Sequence, residues 1–188
     1  MANINSKKLV KRKASWEREV TTRLPDLLEQ LLDSEIYGLG DDRPDPPRAY
    51  GVYLFSSTKG KPLYVGRVGR TERARRKGPG AGHSSLLTRL RQHTRPVHTQ
   101  GTWAYRLALV EYEQKVANKK RGYDPLPGKR KENCEIPRFK AEFETQCELV
   151  KAMQFRFVEL HEDEDELSTV FEVYAATVLG LGQSFATS

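Results

Sequence analysis

Residues 51–66, GVYLFSSTKGKPLYVG, restrict the fold of this chain more than any other stretch. Two short apolar runs flank a segment of Ser, Thr, Lys and Gly, a pattern typical of two antiparallel strands joined by a turn. The runs begin and end on mirrored triplets, Gly51-Val52-Tyr53 and Tyr64-Val65-Gly66. A Lys59-Gly60 turn would leave an even number of loop residues and would place both tyrosines on one face.

The glycines and phenols of this hairpin allow two interpretations. Glycine in a strand lets another group approach the backbone closely, so two phenols beside glycines indicate a ligand site. Ordinary aromatic packing between neighbouring strands would also use tyrosines. The hairpin alone leaves both interpretations open.

Leucines at helical spacing predict a helical arm in residues 15–37, before the hairpin. Gly38 and Gly40 are natural stops, and the Pro- and Asp-rich segment that follows is typical of a linker. The leucines expected to face the body of the protein are Leu24, Leu27, Leu28, Leu31 and Leu32.

A short helix is predicted over residues 86–95, between a Ser pair that can cap it and Pro96. Its buried stripe would contain Leu86, Leu87 and Leu90. Arg89 and His93 are four residues apart and therefore lie on one edge of that stripe, where both can face a cleft.

The remaining patterns predict three helices and a third strand. The first of these helices is favoured over a strand because Trp103, Leu107 and Val110 suit helical spacing. Phe139, Phe143 and Cys147 recur at four-residue steps in the second. The predicted elements are a helix in residues 101–122, a helix in 137–153, a strand in 154–160 and a helix in 161–182.

These elements predict an α/β fold of the α+β kind, with a small, mainly antiparallel three-stranded sheet flanked by helices. We expect residues 1–48 to form the N-terminal helical arm and linker. Residues 49–188 would form the main domain, with a helical insertion at about residues 101–152.

Positive charge is concentrated near the hairpin. The chain carries a formal net charge of +7, and residues 67–95 contain nine Lys or Arg residues against the single acid Glu72. A second basic run, residues 115–131, has seven positive residues and one acid. A solvated surface is the usual explanation of such runs, but their position favours binding of a polyanion, most simply nucleic acid.

Membrane and secreted classes are not expected. No stretch approaches the roughly 20 apolar residues of a membrane span, and the first dozen residues are polar and basic. Cys134 and Cys147 stand thirteen apart without a metal-binding partner pattern, as expected of reduced thiols. The sequence therefore predicts a cytoplasmic or otherwise intracellular protein.

The order of these features resembles the GIY-YIG nuclease family, whose paired triplets stand here as GVY and YVG. The family expects an Arg on the first helix after the hairpin, with a His or Tyr one turn later, and Arg89 and His93 match. It also expects a metal-binding Glu on a late helix, and Glu172 matches in the segment VFEVYAATVLG. Family members commonly end on an Asn, for which Gln183 is the nearest equivalent here.

The resemblance implies a metal-dependent DNA endonuclease that hydrolyses phosphodiester bonds, of a restriction, repair or mobile-element type. Glu172 would bind one divalent cation, Mg²⁺ or alternatively Mn²⁺, as a hard oxygen ligand. Arg89 would bind the scissile phosphate with its charged fork. The acidic run at residues 162–166 is a rival metal site, although a solvated helix start is the simpler explanation.

The proton route has two alternatives. A phenol with a pKa of about 10 is about one part in a thousand ionised at pH 7, so Tyr53 needs cations nearby or a relay to act as a base. His93 could receive that proton. Alternatively, Tyr53 and Tyr64 orient a water molecule.

The expected partner is DNA, with RNA as an alternative, no membrane, and a homodimer as one way to cut both strands. A non-catalytic nucleic-acid-binding protein on the same scaffold is the alternative function. The residues expected to contact the phosphate backbone are Arg67, Arg73, Arg75, Arg76, Lys77, Arg91 and Gln183.

Overall fold

The computed structural model describes residues 13–14, 16–39, 50–68, 86–161 and 164–181. The arm is a π-helical segment, Glu19–Arg23, that leads into helix α1. The helices are α1 (Leu24–Asp33), α2 (Leu86–His93), α3 (Thr102–Ala117), α4 (Arg130–Glu135), α5 (Pro137–Lys151) and α6 (Asp165–Val178); the strands are β1 (Gly51–Ser56), β2 (Pro62–Val68) and β3 (Gln154–Glu159).

The three strands form one antiparallel sheet in the order β2-β1-β3, which confirms the predicted α+β fold. β1 is the central strand, and both of its neighbours run antiparallel to it. Tyr37 forms an isolated bridge with Phe155 on the outer side of β3. The opposite edge of the sheet is formed by β2.

The hairpin turn differs from the predicted two-residue turn. Its loop comprises residues 57–61, closed by the Ser57 N–H donating to the Lys61 carbonyl at 2.9 Å. The register then shifts, because Phe55 lies opposite Tyr64 whereas Ser56 lies opposite Pro62. This shift adds one residue to β2, which offsets the odd number of loop residues. Tyr53 and Tyr64 therefore share a face as expected, although the turn is not the predicted one.

The two faces of the sheet carry different side chains, as the alternation along each strand requires. We call one the aromatic face and the other the aliphatic face, and each belongs to a separate buried cluster. The aromatic face comprises Tyr53, Phe55, Tyr64, Phe155 and Phe157, and the aliphatic face comprises Val52, Leu54, Val65 and Val158.

Helices α2, α3 and α5 cover the aromatic face. In α2, Leu86 and Leu90 are fully buried, whereas Leu87 is only partly buried. The predicted stripe of α3 is wrong at Val110, which is 52% exposed. α3 instead buries Ala104, Ala108 and Tyr112, at four-residue steps, in the same cluster as α5. Small alanines let the two helices approach closely, a preference that simple hydrophobicity does not show.

Helices α1 and α6 cover the aliphatic face. Leu24, Leu27, Leu28 and Leu31 of α1 are buried there, as predicted, whereas Leu32 is 38% exposed. Phe171 and Ala175 are the fully buried residues of α6. Among the described residues, none of the helices combines the length and apolar character that crossing a membrane would need.

Candidate active site

Tyr53 and Tyr64 meet on the aromatic face, next to the β2 edge. Tyr53 lies on the central strand and is fully buried, and Tyr64 is partly buried on β2. Their ring centroids are 6.1 Å apart. The hairpin therefore presents one phenol inside the protein and a second one closer to solvent.

The two glycines of the triplets make room for the protein's own atoms. A Cβ on Gly66 would lie 2.5 Å from the Tyr53 hydroxyl oxygen and 2.6 Å from its ring, so the Tyr53 phenol rests on the Gly66 backbone. A Cβ on Gly51 would collide with the Val158 carbonyl of β3. The glycines themselves therefore accommodate protein atoms rather than open a space for a ligand: Gly66 admits Tyr53, and Gly51 admits the neighbouring strand.

His93, at the end of α2, is the hydrogen-bond partner of Tyr53. The Tyr53 hydroxyl oxygen and the His93 Nε2 atom are 2.8 Å apart in a buried setting. The imidazole is 3% exposed, and within the described parts of the chain its Nδ1 atom has no hydrogen-bond partner. Burial, and then the positive charge of Arg89, lower the pKa of His93 to about 3. His93 is consequently a neutral imidazole at physiological pH.

Tyr53 is held as a neutral phenol. Burial, and secondly the neighbouring Tyr64, raise its pKa well above the ordinary value of 10, while Arg89 acts in the opposite direction. The hydroxyl group interacts with His93, Tyr64 and Arg89, yet it has one proton to donate. Tyr53 in this arrangement is a fixed hydrogen-bonding group rather than a ready base.

Tyr64 packs between the hairpin and the first turn of α3. Its ring stacks on Trp103 with centroids 5.0 Å apart and planes 23° from parallel. Burial and then the Glu172 carboxylate raise the pKa of Tyr64, whereas Arg89 and Arg106 lower it. The phenol therefore lies within electrostatic reach of one carboxylate and two guanidinium groups.

Arg89 is the charge that these groups share. The side chain is partly buried on α2, and its Nη1 atom is 3.5 Å from the Gln92 side-chain oxygen. Its positive charge lowers the pKa values of Tyr53, Tyr64, His93 and Glu172. One guanidinium thus lies within electrostatic reach of all four other predicted catalytic residues.

Glu172 reaches the site from α6, on the other side of the sheet. Its Oε2 atom is 3.3 Å from Nε of Arg67, which alternates onto the aliphatic face of β2. Burial raises the pKa of Glu172, and Arg67 and Arg89 partly offset this effect. Residues from both faces therefore meet around the edge strand β2.

Among the described residues near this edge, Glu172 is the acidic group that could hold a cation. The described parts of the chain contain no cluster of three or more His, Cys, Asp or Glu residues that could bind a metal. Glu172 offers a hard carboxylate oxygen, and Mg²⁺ is commonly bound by one or two carboxylates with water and phosphate completing its shell. The donor set fits a single Mg²⁺ that is shared with a phosphate ligand.

The rival metal site in the acidic run gains no support from Glu164 and Glu166, the two residues of the run whose side chains can be described. Glu164 contacts the Arg23 side chain, and its Oε2 atom accepts a hydrogen bond of 2.8 Å from the His161 backbone N–H. These contacts fix the approach to α6 against the N-terminal arm. Glu164 is accordingly a structural group at the start of α6.

The other predicted nucleic-acid contacts divide into two groups. Arg91 is exposed and lies two residues from Arg89, so it points to a different side of α2. The residues that fall outside the described residues are Arg73, Arg75, Arg76, Lys77 and Gln183.

Two residues near the site were not predicted. Trp103 was expected only as part of a buried stripe, yet it forms the surface on which Tyr64 stacks. Arg106, one turn further along α3, adds a second positive charge near Tyr64. Their i, i+3 spacing places them on one side of a helix, but nothing in the sequence indicates that this side faces the hairpin.

In comparisons with known proteins, no family model, no curated protein and no solved structure matches the chain.

Proposed function

We propose that this protein is a metal-dependent endonuclease that hydrolyses phosphodiester bonds of DNA, with the chemistry of the GIY-YIG family that the sequence resembles. One observation carries the proposal: a partly buried arginine, two phenols and a carboxylate, from four different elements, converge at the edge strand β2. A packed core would not need a charged group from each side of the sheet at the same edge.

Phosphodiester hydrolysis needs stabilisation of the charge that develops on the phosphoryl oxygens. Arg89 is suited to this task because its planar guanidinium can donate two parallel hydrogen bonds to a phosphate. Its contact with the neutral Gln92 amide oxygen is long, at 3.5 Å, and a phosphate can replace it.

Glu172 would hold a divalent cation, which would supply Lewis-acid stabilisation of the phosphate charge. The Arg67 guanidinium, which pairs with Glu172 at 3.3 Å, would then be available for a neighbouring phosphate oxygen. The pKa of Glu172 is raised by burial, so full ionisation of this carboxyl group requires a higher pH than for an exposed Glu.

The two phenols have different tasks in this proposal. Tyr53 is buried and protonated, so it positions the Tyr64 hydroxyl through the contact between the two side chains. Tyr64 is nearer to solvent and to Glu172, where its hydroxyl can orient the attacking water. His93 holds Tyr53 from behind through the 2.8 Å hydrogen bond.

A second candidate function is binding of nucleic acid without cleavage. The ion pair between Arg67 and Glu172 favours it, because a carboxylate that is neutralised by arginine needs no cation for its stability. The two functions differ in metal dependence. A binding protein holds DNA equally well with a chelator present and leaves it intact.

The test is cleavage of supercoiled plasmid and of branched duplexes by purified protein with Mg²⁺ or EDTA. Glu172→Gln keeps the size of the side chain and removes the charge, and we expect it to lower the cleavage rate by about 100-fold or more. Glu166→Gln is the matched control, an exposed Glu on the same helix, and should cleave at the wild-type rate. Cleavage that persists in EDTA or in Glu172→Gln would overturn the proposal.

A further inference from the structure

The turn after α3 carries a group of cations around a single aromatic ring. The ring of Tyr123 has the Lys115 ammonium at 5.7 Å, the Lys120 ammonium at 5.8 Å and the Arg138 guanidinium at 5.3 Å from its centroid. Attraction between a cation and the ring face holds each of them there. Three like charges around one ring repel one another, so this grouping needs an explanation.

Little negative charge balances the group. Lys115 pairs with Glu142, which neutralises one of the cations. The remaining side chains, together with the adjacent Lys119 and Arg121, are exposed, and no ion pair to any of them occurs within the described ranges. We call this surface the Tyr123 patch; its unpaired members are Lys119, Lys120, Arg121 and Arg138.

The backbone is shaped to present the patch. Lys119 has a positive φ of 50°, an uncommon conformation for a residue with a side chain. Gly122 has a φ of 80°, and a Cβ there would lie 2.7 Å from the Arg138 guanidinium. The turn therefore accepts local strain at Lys119, and a glycine is needed where Arg138 lies against the backbone.

We propose that the Tyr123 patch is a second DNA-binding surface, which contacts the phosphate backbone of a duplex away from the cleavage site. The assignment rests on the proposed function, because the DNA bound at the candidate active site would continue along the helical insertion to the patch. The Tyr123 ring is already contacted by these cations and by Tyr112, whose centroid is 5.0 Å away, and the charges around it suit phosphate groups rather than bases. The patch thus binds phosphates and adds affinity without sequence choice.

Helix α3 connects the patch rigidly to the candidate active site. Trp103, in its first turn, stacks on Tyr64, and Lys115, in its last turn, contacts the Tyr123 ring. Twelve residues at 1.5 Å each separate the two ends by about 18 Å. This length corresponds to about five phosphates along one strand of a duplex, so one DNA molecule can reach both surfaces.

The test measures affinity for a DNA duplex of about 30 base pairs by fluorescence anisotropy, in EDTA, between about 50 and 200 mM salt. The variant Lys119→Gln/Lys120→Gln/Arg121→Gln removes three charges from the patch. The matched control Lys59→Gln/Lys61→Gln/Lys151→Gln removes three exposed charges elsewhere, so both proteins have the same net charge. Circular dichroism checks that both fold.

We expect the patch variant to bind about tenfold or more weakly, with a slope of log affinity against log salt that is smaller by about 2 to 3. The control should stay within about twofold of the wild type under the same conditions.

Equal affinity of the patch variant and the control for the DNA duplex would overturn the assignment. Affinities for duplex RNA and for polyglutamate are measured in the same way, and a loss of affinity confined to either of these would also overturn it. Because binding is measured in EDTA, a protein that never cleaves can still support the patch. If the patch variant still cleaves DNA and binds it with unchanged affinity, the assignment of the patch is refuted and the proposed function is not.

Discussion

The aromatic face and the aliphatic face belong to the same three strands but differ in chemistry. The aliphatic face buries Val, Leu, Phe and Ala against α1 and α6. The aromatic face buries a phenol and an imidazole that hydrogen-bond to each other, with a guanidinium beside them. The comparison teaches that the aliphatic side supplies apolar packing, whereas the aromatic side holds the buried hydrogen-bonding groups, and that the Arg67–Glu172 ion pair lies where the two sides meet, at β2.

The largest expected effect is a loss of stability without a loss of cleavage rate, caused by a substitution on the aliphatic face. Leu31 of α1 is fully buried there, and it is not one of the five predicted catalytic residues. Leu31→Ala should lower the free energy of unfolding by about 3 kcal/mol, because it removes buried apolar surface and leaves a cavity. Urea unfolding measures the loss. The protein that remains folded should cleave at the wild-type rate, and a parallel loss of rate would mean that the faces are not independent.

A substitution on the aromatic face should affect both properties. Gly66→Ala places a Cβ against the Tyr53 phenol, which is held between the strand and His93. We expect a loss of about 2 kcal/mol in stability from overpacking, together with a lower cleavage rate as Tyr53 moves. Combining it with Tyr53→Leu should recover part of the stability, because the smaller side chain leaves room for the methyl group. If the losses simply add, the Tyr53–Gly66 contact is not the cause.

The pH dependence of stability sharpens the comparison further. His93 has an ordinary pKa of 6.5 when unfolded and about 3 when folded, so between these values the unfolded chain binds the extra proton. Stability therefore falls as the pH drops below about 6.5, by about 2 kcal/mol from His93 between pH 7 and pH 5. Urea unfolding of the wild type and of His93→Gln at both pH values measures this contribution, since the free energy of unfolding of the variant should decrease less. Equal decreases would mean that His93 is not buried in neutral form.

Much of the fold could be predicted because it rests on local patterns. Two apolar runs around a polar segment in residues 51–66 indicated the hairpin, and the leucine spacing of the arm indicated α1. The buried side of α3 could not be predicted, since alanines at Ala104 and Ala108 gain their role only when α5 packs against them. The hairpin turn was missed because a five-residue loop and a register shift give the same shared face as a two-residue turn.

The candidate site was predictable in its members but not in their contacts. Tyr53, Tyr64, Arg89, His93 and Glu172 were proposed from the sequence, and the structure brings them into one electrostatic group. The pairing of Glu172 with Arg67 and the stacking of Trp103 on Tyr64 depend on how distant elements pack. No spacing along the chain encodes either contact.

The most direct test of the account compares the single-turnover cleavage rates of Arg89→Lys and Leu31→Ala with that of the wild type, at saturating protein and Mg²⁺. Lysine keeps the positive charge but loses the two-pronged donor, so the account predicts a rate about 100-fold lower for Arg89→Lys with nearly unchanged stability. Leu31→Ala should show the reverse, a large loss of stability with the wild-type rate. No cleavage by the wild type, or an Arg89→Lys rate equal to it, would contradict the claim that the β2 edge is a phosphodiesterase site.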